Sequence, residues 1–317
     1  MWVGFPSHAD LWEDNLGPAQ AEVAALALAL AGPGGEQVKL MACGEAAAAQ
    51  AAALVGGAPG VEVVPGRFGD IWLRDTGPIF TAPGKAAAFR FNGWGGRYEL
   101  PGDETVADQI GEASAARLTR HDFILEGGAL DHDGQGTVLT TRQCLTNPNR
   151  NPGWDAARAE RALGEAIGAR KIIWLGDGLL NDHTDGHVDN LARFLAPGLV
   201  ACPVAVDPDD PNAQVFDAAA NVLAEARDAT GARLTVMRIP APGRITDEEA
   251  AIIPASHMNF LIANEAVIVP LYAEPWGGMA VEALAAAFPG RAVIGLSSRA
   301  LISGGGSFHC ISQQEPA

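Results

Sequence analysis

The pattern that most constrains this chain is a recurring hairpin: an apolar run, a turn pair and a second apolar run. One copy spans residues 77–80, the turn Pro83-Gly84 and residues 86–91. Others run through 128–130, Asp133-Gly134 and 137–140, and through 191–195, Pro197-Gly198 and 199–202. A fourth runs through 259–263, Asn264-Glu265 and 266–270. Turn residues between β-prone runs are the standard hairpin signal.

Apolar residues at three- and four-residue spacing predict helices over 19–30, 105–118, 154–167, 214–229 and 278–288. Strands are predicted after them at 171–175, 233–239 and 292–296. The order strand, strand, helix, strand therefore recurs at roughly 50–65 residues, a spacing that suggests a repeated unit. A fifth copy is split between residues 308–312 and 2–5. Pairing those two segments would close a ring. An ordinary α/β domain with several hairpins would leave much the same periodicity.

The formal charge of −17, from 21 basic and 38 acidic residues, repels nucleic acid and anionic lipid. Apolar stretches are interrupted before they reach spanning length, and no basic region precedes an apolar run near Met1. The expectation is a cytoplasmic protein with no nucleic-acid or membrane partner. Oligomeric state stays open, a homo-oligomer included.

Potentially reactive residues recur at one place in each unit, at or just before the hairpin. They fall in segments 70–78, 126–128, 182–190, 256–259 and 304–310. Loops at one end of a repeated scaffold are where sites are commonly built. His183 and His187 have the spacing of metal ligands on a helix, but Gly186 disfavours a helix and residues 188–195 read as a strand. The glycines at 304–306 have no following Lys-Ser or Lys-Thr pair and suit close backbone approach better than phosphate.

The chain has four cysteines, none spaced as Cys-x-x-Cys. Cys43, Cys144 and Cys202 read as small buried residues. Cys310 has suggestive neighbours. A thiol becomes a strong nucleophile beside a cationic partner, and histidine can be that partner. On a strand, His187 and Asp189 would share one face. With Asp75 and Glu126 they would bring three carboxylates and an imidazole to a thiol. Three carboxylates make little sense where an oxyanion must be stabilised. They suit a guanidinium, which is planar, cationic and bound in forked pairs.

These residues lie in ordered motifs. They are Trp-x-Arg-Asp-Thr-Gly-Pro at 72–78, Phe-Asn-x-Trp-Gly-Gly at 91–96, Glu-Gly-Gly at 126–128 and Gly-x-Gly-Thr at 134–137. Asp-Gly-His-Val-Asp-Asn at 185–190 and Gly-Gly-Gly-x-x-His-Cys-Ile-x-Gln-Gln at 304–314 complete the set. Over nearly its whole length the chain resembles the agmatine deiminases, within the Porphyromonas-type peptidyl-arginine deiminase family of the guanidine-modifying superfamily. Ser307 and Ser312 depart mildly from that pattern, where Asn and Thr are common.

The resemblance implies a pentein fan (α/β-propeller) of five ββαβ units around a central active site, with residues 1–317 as one catalytic domain. It implies hydrolytic deimination of a small cationic guanidinium substrate, agmatine first, without metal or organic cofactor. Free or peptidyl arginine is the alternative substrate, and a silent guanidinium- or polyamine-binding protein is an alternative of another class. By resemblance Cys310 is the nucleophile and His187 the general acid/base. Glu126 would orient His187 and contact substrate. Asp75 and Asp189 would grip the guanidinium, and Trp72 would pack against the alkyl chain.

Overall fold

The structure, a computed structural model, describes residues 1–317. Its strands form five separate small sheets. In the first repeat, strand Ile79–Ala82 pairs antiparallel with Lys85–Arg90, helix Val106–Ala113 crosses over, and Arg117–Ile124 returns parallel to Lys85–Arg90. Parallel neighbours cannot be joined by a tight turn, so each third strand requires such a crossover.

The same order recurs three times. Asp131–His132, Thr137–Thr141, helix Ala156–Ile167 and Lys171–Leu175 form one unit. Arg193–Ala196, Leu199–Val204, helix Ala213–Glu225 and Thr235–Pro240 form the next. Leu261–Ile262, Ala266–Leu271, helix Trp276–Ala287 and Ala292–Ser297 form the fourth.

The fifth unit joins the two ends of the chain. Ser312–Gln313 pairs antiparallel with Trp2–Phe5, with Trp2 opposite Gln313 and Val3 opposite Ser312. Helix Leu16–Ala31 then leads to Val38–Cys43, parallel to Trp2–Phe5. The result is the fan of five ββαβ units. One addition escaped the periodicity: helix Glu45–Val55 and strand Val61–Gly66 widen this sheet to four strands. Their Ala-rich and Gly-rich sequence carries little amphipathic signal.

Local chemistry explains most boundaries. The Asp155 carboxylate accepts from the Arg158 N–H and caps helix Ala156–Ile167. Helix Leu16–Ala31 buries Val23, Leu26 and Leu30, each contributing about 1.5–3 kcal/mol on burial. Two predicted helices end early. The first stops at Ala113 because Arg117 must already be extended opposite Lys85, and the third unit's helix stops at Glu225. Residues 308–311 are not strand either; only Ser312 and Gln313 pair, and the turn before them presents Cys310. No helix is long and apolar enough to cross a membrane.

Candidate active site

Each unit carries a short turn immediately before its first strand. Four of the turns are Leu73–Thr76, Gly127–Ala129, Val188–Asn190 and His257–Asn259, and the fifth leads into Cys310. These turns meet at the centre of the fan. That is why residues far apart in sequence share one site.

His187 and Asp189 do not lie on a strand. Residues Val188–Asn190 form a 3-10 turn, and the strand begins only at Arg193. Strand alternation therefore does not bring the two side chains together. The turn does, and side chains hold it: Asp182 accepts from the Thr184 N–H and hydroxyl, and Thr184 accepts from the His187 N–H at 3.0 Å. Thr141 donates to the Gly186 carbonyl at 2.6 Å.

Gly128 marks the point of convergence. A Cβ there would sit 2.6 Å from His187 Nδ1, 2.9 Å from Asp75 Oδ1 and 3.1 Å from Asp189 Oδ2. Only glycine fits among the three. Its N–H donates to Asp75 Oδ1 at 2.9 Å, and Trp94 Nε1 donates to Asp75 Oδ2 at 2.9 Å. Asp75 is thus fixed by two donors.

Cys310 is held from two sides. Asn259 Nδ2 donates to its sulfur at 3.2 Å, and the sulfur lies 3.7 Å from Asp189 Oδ2. That carboxylate oxygen also meets His309 Nδ1 at 2.7 Å. Burial, with Arg193 and Arg74 nearby, holds His309 well below the usual histidine range. The contact is therefore a neutral N–H donating to a carboxylate. Burial pushes Asp189 up to about 7, and Asp75 adds to the effect. Its other oxygen, Oδ1, is buried without a donor. Such an acceptor is costly unless a ligand meets it.

Burial and the charges of Asp189 and Asp75 raise the Cys310 thiol well above its ordinary value. For His187, burial opposes protonation, but Asp75, Cys144 and Glu126 outweigh it and raise the imidazole well above its ordinary value. Neither His187 ring nitrogen has a conventional partner. The resting site thus combines a protonated thiol, a cationic imidazole and carboxylates with spare acceptor capacity.

Glu126 stands beside His187, with ligand atoms of the two within 4.8 Å of one another. Its Oε1 accepts from Arg150 Nε at 2.6 Å, with both side chains only 1% exposed, and no hydrogen bond joins it to His187. Glu126 acts on His187 through space, as a charge. Arg150 also donates to Asp185 Oδ2 at 2.6 Å and to the Thr184 carbonyl at 2.8 Å, tying Glu126 to the loop that carries His187.

A cavity of about 230 Å³ reaches Cys310, Asp75 and Trp72. Glu126, His187 and Asp189 lie outside its lining. Trp72 and Trp12 both donate to Asp70, at 2.8 and 3.0 Å, and form an indole wall. Gly306 lets Trp72 lie against the backbone, since a Cβ there would stand 2.5 Å from the indole. All six residues singled out from sequence are near this centre.

Sequence reasoning missed four more. Asn259 stands in the recurring segment 256–259 but carries no group that reacts by itself, and His309 adjoins Cys310. Nothing local marks Arg150. Cys144 reads as inert, yet its thiol, His187 and Glu126 offer ligand atoms within 4.8 Å of one another. Those three could meet a metal ion, but the Arg150 guanidinium on Glu126 already supplies a cation there. The acids around His183 are engaged too: Asp182 caps Thr184, and Asp185 takes Arg97 at 2.6 Å as well as Arg150.

The family profile of the Porphyromonas-type peptidyl-arginine deiminases matches residues 1–316. The agmatine deiminase of Stutzerimonas stutzeri is 39% identical over 343 residues, covering 100% of this chain and 92% of that protein. The agmatine deiminase of Pseudomonas aeruginosa is 37% identical over the same coverage. The solved structure of the agmatine deiminase of Enterococcus faecalis superposes with a TM-score of 0.92 at 32% identity, covering 99% of this chain and 92% of that one.

Proposed function

This chain belongs to the Porphyromonas-type peptidyl-arginine deiminase family, and we propose that it hydrolyses agmatine to N-carbamoylputrescine and ammonia through a covalent amidino-cysteine. The observation that carries agmatine over arginine is the pocket lining. It contains Asp70 and Asp75 and no Arg or Lys. Arginine would bring a carboxylate to that acidic pocket. Arg74 faces another cavity, Arg90 pairs with Asp122 on the surface, and Arg97 is held by Asp185.

The guanidinium binds between Asp75 and Asp189, using the free Asp189 Oδ1. Its positive charge offsets the two carboxylates that keep Cys310 protonated, so the thiol releases its proton to solvent when substrate is bound. The thiolate attacks the guanidinium carbon. His187, cationic at rest, gives its proton to the departing nitrogen, and ammonia leaves. His187, now neutral, takes a proton from water, and the resulting hydroxide attacks the same carbon. The carbon–sulfur bond breaks, releasing the ureido product and Cys310. Trp72 lies along the path of the alkyl chain.

Neither half of the reaction requires a metal or organic cofactor. On the same reading residues 1–317 act as one catalytic domain in the cytoplasm.

Mass spectrometry of enzyme quenched during turnover tests the mechanism. An amidino adduct on Cys310 is expected. An adduct on Cys144, or none under single-turnover conditions, overturns it. Side-by-side turnover of agmatine, arginine and an arginyl peptide tests the substrate; agmatine as the poorest of the three would reject that assignment.

A further inference from the structure

The cavity that reaches Cys310 is lined by two carboxylates, Asp75 and Asp70. Asp75 belongs to the guanidinium end, and each oxygen of Asp70 already accepts an indole N–H. Neither reaches the outer end. There Tyr98, His183 and residues 303–305 line both this cavity and an open vestibule outside it. They form the neck toward which a substrate's tail points. His183 is the only nitrogen base in that neck, and neither half of the reaction uses it.

Three contacts fix His183. Its carbonyl accepts from Arg97 Nη1. Its ring stands edge-on to Tyr98, with centroids 5.6 Å apart. On the other side its Cε1–Nε2 edge lies against Gly305, where a Cβ would overlap the imidazole. Gly305 also has φ of +99°, so the position requires glycine twice over. No hydrogen bond reaches either ring nitrogen. Both nitrogens of His187 are sealed within the protein, but those of His183 are not, and the residue is half-buried.

The surroundings keep this imidazole uncharged. Burial lowers its proton affinity most; His187 and Arg97 act in the same direction, and Asp182 and Asp75 oppose them. Across the vestibule stand Asp247, Glu248 and Glu249, with Arg299 among them. At neutral pH His183 therefore offers one ring nitrogen as an acceptor. An ammonium makes a charge-assisted hydrogen bond to such an acceptor, and a methyl group gains nothing from it.

We propose that His183 determines specificity at the tail of the substrate, its neutral ring nitrogen accepting a hydrogen bond from the ammonium at the far end of agmatine. This rests on the agmatine reading and names the group that recognises the amine. Protonation removes the acceptor and places a like charge in the neck. The preference for an ammonium tail is thus complete when His183 is neutral and is lost as pH falls below the ordinary histidine range.

The test compares kcat/KM for agmatine with that for pentylguanidine, in which a methyl group replaces the ammonium. Taking the ratio cancels titrations of the catalytic groups that both substrates share. In the wild type the ratio should fall as pH is lowered from 8 to 5. His183→Leu removes the acceptor and should lower the ratio at pH 8 at least about tenfold, the scale for one hydrogen bond to a charged group, with the loss in KM for agmatine. His183→Gln keeps an acceptor that does not titrate; its ratio should stay high and flat across the range. This variant decides the matter alone if His183→Leu does not fold. A wild-type ratio in His183→Leu, or an acid fall that persists in His183→Gln, overturns the proposal and assigns the ammonium to Asp70. Agmatine turnover with either result rejects the role of His183 only, whereas a wild type that does not turn over agmatine rejects the substrate reading with it.

Discussion

The Asn259 carboxamide grips Cys310 at both ends. Its Nδ2 donates to the sulfur at 3.2 Å, while its Oδ1 accepts from the Cys310 N–H at 3.2 Å and the His309 N–H at 2.9 Å. One side chain thus fixes the backbone of the turn and solvates the sulfur that the turn presents. A donor aimed at sulfur favours thiolate over thiol.

Asn259→Ala removes both functions. Activity should fall about 10²-fold, the scale for losing one preorganised donor to a developing anion. The loss should fall mainly on kcat. The pH at which iodoacetamide alkylates Cys310 should rise. Unchanged alkylation would show that Asn259 is only a scaffold.

Cys144→Ala removes a thiol that raises the proton affinity of His187. If His187 must be protonated to release ammonia, activity is lost as pH rises through its folded value. The alkaline limb of the kcat profile should therefore move to lower pH in Cys144→Ala. Cys43→Ala and Cys202→Ala should leave the profile where it was. Identical limbs in all three would rule out a link between Cys144 and His187.

Asp189→Asn should trade activity for stability. The folded carboxyl titrates at about 7 against an ordinary 3.8, so folding disfavours its charged form. A raised folded value means that this group's stabilising contribution is complete below about 4 and is lost as pH rises to about 7. Replacing it should stabilise the protein by a few kcal/mol at pH 8 and by much less at pH 5. Chemical denaturation at the two pH values measures this. A gain that is larger at pH 5 contradicts the sign, and turnover should be lost at both.

Gly128→Ala puts a methyl group where His187, Asp75 and Asp189 converge. The local overpacking should cost about 1–3 kcal/mol. Turnover should drop at least about 10²-fold, because misplacing reacting groups by an ångström has effects of that size. Activity near wild type would mean that the three side chains can separate without penalty.

Much of the fold was legible because it rests on short-range chemistry. The turn pairs at 83–84 and 197–198 and the helix spacing over 154–167 mark elements that the structure contains. The split fifth unit was legible from its two orphan segments. The extra helix Glu45–Val55 was not, since a run of alanine has no clear polar face. The early end of helix Val106–Ala113 was hidden as well. It is set by the pairing of Lys85 with Arg117, a contact between distant residues.

The site divides in the same way. Sequence by itself pointed to a candidate set: Cys310, His187, Glu126, Asp75 and Asp189 by residue types that suit a guanidinium and recur at one place in each repeat, and Trp72 by the family resemblance. Tertiary structure alone decided who holds whom: Asn259 on Cys310, His309 on Asp189, Arg150 on Glu126 and Cys144 beside His187. It also turned Arg74 away from Asp75, its neighbour in the chain, into a separate cavity. The physical reason is common to all of them. A side chain's charge state and hydrogen-bond partners depend on distances of about 3 Å between different repeats, and only closure of the fan sets those distances.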